Sequence, residues 1–192
     1  AQIRLMEKLK NHSGKDSVRV FRPADVHAVT ECWKMAMENF DTPTALIFSR
    51  QVVKDLPEGT DYKQARKGAY IVEGDENPEV VLIASGSEVS TLVEARKLLS
   101  AQQIKSRIVS CPSEGLFRTQ SQEYQEMVLP KGIKRFALTA GLPCVFEGLA
   151  GADGYVYGLE SFGYSAPYKV LDEKLGFTPE NIYNEIVKFI NR

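Results

Sequence analysis

The chain has 192 residues, of which 43% are hydrophobic and 26% charged, the make-up of a soluble globular protein of one or two domains. A formal net charge of -1 without a basic run argues against a nucleic-acid partner, and no apolar window is long enough to span a bilayer. Three cysteines, Cys32, Cys111 and Cys144, are odd in number and lack metal-ligand spacing, and nothing at the start resembles a signal peptide; both point to reduced thiols in a cytoplasmic protein.

In chain order, Ala1 is no initiator Met, and Ile3, Leu5, Met6 and Leu9 form the apolar side of a helix already under way, which reads as a cut end. Residues 18–21 read as a short strand. Asp25 then caps a helix whose stripe Val26, Val29, Trp33, Ala36, Met37 and Phe40 is expected to be its buried face. Asp41-Thr42-Pro43 stops this helix and residues 44–48 form the next strand, so residues 1–50 hold too few elements to enclose a core.

Beyond that strand lies Ser49-Arg50-Gln51. Ligands of open α/β sheets bind outside the carboxyl ends of strands, and Arg50 offers a fixed fork of donors for a phosphate or carboxylate. A salt bridge or a clamp on a carbonyl accounts for the residue equally well.

Residues 52–67 mix Pro, Gly and charge and read as a linker crossing a domain surface. Strands are expected over 68–73 and 79–84, paired antiparallel across the turn 75–78. The unbroken apolar run 80–84 marks a strand covered on both faces, ending at Ser85-Gly86-Ser87. Ser87 reads as the N-cap of the next helix, Glu88 as a charge set against its dipole, and Val89, Leu92, Val93, Ala95 and Leu99 as its packed face. Ser85, Gly86 and Ser87 are also a candidate weak anion site, because a helix N-terminus presents free N–H groups. Without a Lys, a GxxxxGK[ST] or a GxGxxG, the turn is better explained as one that binds only water.

Further strands are expected over 104–110, 133–139 and 155–158, and helices over 120–128, 168–175 and from Thr178-Pro179 onward, the last with Ile182, Ile186 and Ile190 inward. Residues 68–192 therefore read as a complete three-layer α/β/α unit. His12 and His27 are the only histidines, so no Ser/His/Asp set can be assembled in residues 68–192. Glu114, Glu147, Asp153 and Glu160 read as solvated or capping groups, and Phe117, Tyr124, Phe146, Tyr155, Tyr157, Phe162 and Tyr164 as core and interface.

The ordered motifs RVFRPAD, LIFSRQ, KGAY, VVLIASGSEVSTLVEARKLL, SFGYSAP and KLGFTPENI resemble the C-terminal part of transketolases over essentially the whole chain. The resemblance implies that residues 1–52 are the C-terminal remnant of a pyrimidine-binding domain, 53–67 a linker and 68–192 the C-terminal domain. That domain would hold a mixed, mostly parallel five-stranded sheet with one antiparallel edge strand. It further implies transfer of a two-carbon ketol unit between sugar phosphates in the pentose phosphate pathway, by a homodimer using thiamine diphosphate and a divalent cation, Mg or Ca. The Arg of the SRQ motif, which matches Arg50, would bind the sugar phosphate. No catalytic, cofactor-binding or metal residue is expected in this chain, because the family's GDG motif, activating glutamate and GPTH histidine have no counterpart in it. Cys111-Pro112-Ser113-Glu114 stands where the family usually has an acidic and aromatic stretch, and Val52 follows SRQ where the family often has Asn or Lys.

The chain then reads as a piece of a complete transketolase or one half of a split one, which needs an N-terminal part. The alternatives are the C-terminal domain of a 2-oxo acid dehydrogenase E1 or of deoxyxylulose phosphate synthase, and a non-catalytic α/β assembly or binding module. By itself the polypeptide is expected neither to bind thiamine diphosphate tightly nor to turn over. Calorimetric titration with cofactor and magnesium checks this, and micromolar binding would contradict it.

Overall fold

The structure, a computed structural model, describes residues 2–192; Ala1, where the sequence suggests a cut end, lies outside them. Helix α1 (Gln2–Met6), strand β1 (Arg19–Phe21), helix α2 (Val26–Glu38) and strand β2 (Thr44–Leu46) come first, followed by a 3-10 turn over Tyr62–Lys67. Then come β3 (Tyr70–Gly74), β4 (Val80–Ala84), α3 (Glu88–Ala101), β5 (Ser106–Ser110), α4 (Glu114–Arg118), α5 (Gln122–Val128) and β6 (Lys134–Leu138). A second 3-10 turn over Pro143–Val145 leads to α6 (Glu147–Ala150), β7 (Tyr155–Tyr157), α7 (Tyr168–Leu175) and α8 (Pro179–Ile190).

Strand β4 lies at the centre of a five-stranded sheet ordered β3-β5-β4-β6-β7. All five of its residues are fully buried, as an unbroken apolar run requires. Val80, Leu82 and Ala84 pack with Leu92 and Leu99 of α3 and Ile182 and Ile186 of α8. Val81 and Ile83 face the other way, onto Phe117, Val128, Phe146 and Leu149. The three-layer arrangement thus follows from the two-residue period of one strand. Helix α8 starts as its sequence indicates, with Thr178 Oγ1 accepting the Asn181 N–H at 3.3 Å and Pro179 in the first turn.

The reversed strand takes a different neighbour from the one expected. Strand β3 pairs antiparallel with β5, not with β4, with Tyr70 opposite Ser110 and an irregularity between Ile71 and Glu73. Residues 75–79 reach at most about 17 Å when extended, enough to pass one strand at a spacing of about 4.8 Å. The crossing is tied to β5: the Asp75 carboxylate accepts the Ser106 N–H at 3.0 Å, Glu79 N–H donates to the Lys105 carbonyl at 2.8 Å, and Arg107 donates to the Glu76 carbonyl at 2.9 Å.

Strands β1 and β2 form a separate parallel pair. Helix α2 has the expected Asp25 cap, which accepts the Ala28 N–H at 2.9 Å, but it buries the opposite set of residues. Ala28, Cys32 and Met35 face inward, and Cys32 and Met35 cluster with Phe21, whereas Val26, Trp33, Met37 and Phe40 are 61%, 49%, 69% and 93% exposed. A sheet of two short strands offers a helix one narrow contact, and the small side of α2 fits it; the wide apolar stripe is left largely open, with Phe48 against Trp33 at 6.3 Å between ring centroids. Between the two sheets, residues 52–67 are pinned rather than loose. Leu56 N–H donates to Asp25 at 3.0 Å, and Leu56, Thr60 and Ala65 are buried.

Helix α1 is also inverted relative to expectation. Ile3, Leu5, Met6 and Leu9 are exposed, while Arg4 and Glu7 are buried. Arg4 donates to the carbonyls of Pro112 and Cys111 at 2.8 and 3.0 Å and lies over the Phe146 ring. Glu7 accepts the Ser113 hydroxyl at 3.0 Å and the Glu114 N–H at 3.1 Å. The departure Cys111-Pro112-Ser113-Glu114 therefore acts as the socket for α1. Glu114 is not solvated but buried, paired with Lys8 at 3.3 Å and Arg118 at 2.6 Å. Glu147, Asp153 and Glu160 are exposed or partly exposed, as expected. Of the aromatics expected in core or interface, Phe117 and Phe146 are buried, but Phe162 is 99% and Tyr164 54% exposed.

Two substitutions compare the covered and uncovered faces. Leu82→Ala is expected to cost about 3 kcal/mol in urea unfolding, and Met37→Ala less than about 0.5 kcal/mol. Comparable losses would mean that the α2 stripe is covered in solution.

Candidate functional site

Parallel pairing brings the carboxyl ends of β1 and β2 to one side. Phe21 lies opposite Leu46, and Ile47 N–H donates to the Phe21 carbonyl at 2.9 Å. Arg22 and the segment carrying Arg50 therefore leave the small sheet together, toward the carboxyl ends of β4 and β6. The gap between them is a cleft of about 380 Å³, whose walls include Arg22, Arg50, Ser87, Glu88, Ala140 and Asp172.

A part-buried ion pair lies in its wall. The Arg22 guanidinium donates to both Glu88 oxygens, at 2.5 and 3.1 Å, and also to the Ser85 carbonyl. Its backbone is held on both sides: Arg22 N–H donates to the Pro112 carbonyl at 2.9 Å, and Gly86 N–H to the Arg22 carbonyl at 3.1 Å. Glu88 also accepts the Ala140 N–H at 2.8 Å. The side chains of Arg22 and Glu88 are 21% and 5% exposed, so the charge on each is matched by the other rather than by water.

The turn Ser85-Gly86-Ser87 works differently from its sequence reading. Ser87 has helical backbone angles and makes no side-chain cap bond. Glu88 is bound internally rather than simply set against the dipole. Arg22 lies over Gly86, whose φ is +64°; a Cβ there would stand 2.5 Å from the guanidinium carbon. The Gly86 N–H is spent on the Arg22 carbonyl, the Ser87 hydroxyl donates to Glu88 at 3.4 Å, and Arg22 covers the Ser85 and Gly86 side of the turn.

Arg50 stands in contrast. It is exposed, lines the cleft, and makes no hydrogen bond or ion pair with any described residue. Asp172 also lines the cleft. Burial, and then the nearby Glu88 carboxylate, pushes its carboxyl above the usual 3.8. Neither histidine is in the cleft; His27 packs against Tyr62 with ring centroids 4.6 Å apart. Among the described residues no group of three or more His, Cys, Asp or Glu is placed to hold a metal ion. Sequence reasoning singles out Arg50 but passes over Arg22, although both follow a strand end, and it misses Asp172 on a helix with no fully buried residue.

Three comparisons bear on this arrangement. A family model described as the transketolase-like C-terminal domain matches residues 68–178. A transketolase of Staphylococcus aureus is 41% identical over 186 residues, covering 95% of this chain and 28% of that protein. Among solved structures, transketolase from Leishmania mexicana superposes with a TM-score of 0.87 at 31% identity, over 100% of this chain and 27% of that one. A Pichia stipitis transketolase in complex with sedoheptulose 7-phosphate gives 0.86 at 31% identity, over 93% and 26%. The chain thus spans little more than a quarter of the length of these proteins.

The fit of Arg22 over the turn can be tested at its glycine. Gly86→Ala is expected to cost about 2 kcal/mol or more, combining left-handed backbone strain with displacement of the guanidinium. Gly132→Ala shares a positive φ, +74°, but meets nothing within 4 Å and isolates the strain alone. Equal losses in urea unfolding would show that Arg22 does not occupy this position.

Proposed function

Because the chain belongs to the transketolase family, we propose that it is the C-terminal part of an enzyme transferring a two-carbon ketol unit between sugar phosphates, with Arg50 gripping the phosphate. The observation that carries this reading is the unpaired guanidinium on the wall of a cleft whose other arginine is already neutralised. A planar fork of donors can take two phosphate oxygens at once. Glu88 is matched by Arg22 and so repels an incoming phosphate little. The Pichia stipitis relative in complex with sedoheptulose 7-phosphate supports a sugar phosphate as the ligand.

Thiamine diphosphate and a divalent cation, Mg or Ca, would serve the complete enzyme. The cofactor, when bound, supplies the carbanion chemistry. Among the described residues no group of three or more His, Cys, Asp or Glu fits the cation, and the roles given to Arg50 and its neighbours involve neither group. Binding of both is assigned to the N-terminal part, carried on the same polypeptide or a separate subunit. Residues 1–52 would then complete a pyrimidine-binding domain with that part, 53–67 would link them, and 68–192 would form the C-terminal domain of a cytoplasmic homodimer. The exposed stripe of α2 suits such a partner surface better than water. No helix among the described residues is long and apolar enough to cross a membrane.

The test restores activity by supplying a matching N-terminal part and then replaces Arg50. Arg50→Ala is expected to raise KM for phosphorylated ketoses about 10- to 100-fold, the worth of a charge-assisted phosphate contact, and to affect a non-phosphorylated ketol donor far less. Indifference to the substitution would overturn the assignment of Arg50.

A further inference from the structure

Arg50 follows β2 on a short exposed segment, so its fork is aimed by whatever holds the small sheet against the large one. The contact nearest the cleft is made by Glu88. Its carboxylate joins three segments distant in sequence: the end of β1 through Arg22, the start of α3 through its own backbone, and the end of β6 through the Ala140 N–H at 2.8 Å. The link continues by hydrogen bond as far as Ile47, three residues before Arg50. Arg22 adjoins Phe21, the Phe21 carbonyl accepts the Ile47 N–H at 2.9 Å, and Ile47 leads through Phe48 and Ser49 to Arg50.

We propose that Glu88 is a positioning residue for substrate phosphate, acting through Arg22 and the paired ends of β1 and β2 to set where the Arg50 guanidinium points. This rests on the reading of Arg50 as the phosphate ligand. Both Glu88 oxygens are occupied within the chain, so it acts by holding geometry and not by touching substrate. Arg22 in turn cannot replace Arg50, because its fork is already spread over Glu88 and Ser85.

The experiment uses the assembled enzyme, this chain together with its N-terminal part. Glu88→Gln keeps the shape and the acceptor for Ala140 while removing the charge that grips Arg22. The expected result is a fall in kcat/KM about 10-fold larger for a phosphorylated ketose than for a non-phosphorylated ketol donor. In an Arg50→Ala background the same substitution should no longer separate the two donors, the non-additivity of residues acting in series. Equal falls for both donors, or an undiminished separation in the Arg50→Ala background, would overturn the proposal. If Arg50→Ala itself fails to separate the donors, the functional reading fails first and takes this inference with it. Should Glu88→Gln not assemble, Arg22→Lys, which keeps the charge but loses the two-nitrogen grip, takes its place: a larger fall for the phosphorylated donor supports the proposal, and equal falls overturn it.

Discussion

The constraint from which the rest follows is the complete burial of β4. A strand with apolar groups on both faces needs a layer on each side and a hydrogen-bonded neighbour on each edge. Helices α3 and α8 supply one layer, the elements between β5 and β7 the other, and β5 and β6 the edges. Parallel pairing on both edges then gathers three carboxyl ends in one place, and their polar loops meet the end of the small sheet. The location of the cleft is thus a consequence of how the core is closed.

The small sheet and α1 are docked to this core through buried charge as well as apolar area. Arg4 and Glu7 hold α1 in the loop 111–114, and Arg22 and Glu88 hold β1 over the turn 85–88. Buried charges cost desolvation, and burial outweighs Arg4 in keeping the Glu7 carboxyl above its ordinary value of 4.5. Such contacts tolerate little misplacement, because a shift leaves a buried charge without its partner. They therefore specify one orientation of the small sheet more sharply than they stabilise it, and a site built across the junction gains from that.

What can be read from the residues follows the same division. Elements that pack on the central strand are legible: the β4 run, the α3 face and the Thr178-Pro179 start of α8 all stand where their patterns put them. The stripe of α2 reads correctly as apolar and wrongly as buried, since period reports what a helix can cover, not what is present to cover it. The β3 neighbour is misjudged because closeness in sequence favours a hairpin, and nothing local says that a five-residue connection passes over a strand. Glu7, Glu88 and Glu114 look like surface or capping charges because nothing beside them in sequence announces burial. The Arg22 and Ala140 partners of Glu88 lie 66 and 52 residues away, and those of Glu7 in the loop 111–114 over a hundred.

Arg22 and Arg50 show most plainly where reading by position stops. Each follows the end of one of two paired parallel strands, and each carries the same group into the same cleft. One meets a buried carboxylate and becomes part of the frame; the other meets none among the described residues. The difference lies in Glu88, on another element altogether, and a strand-end rule applied to either arginine alone is blind to it. On the proposed reading, the phosphate falls to the cation that the described residues leave without a carboxylate.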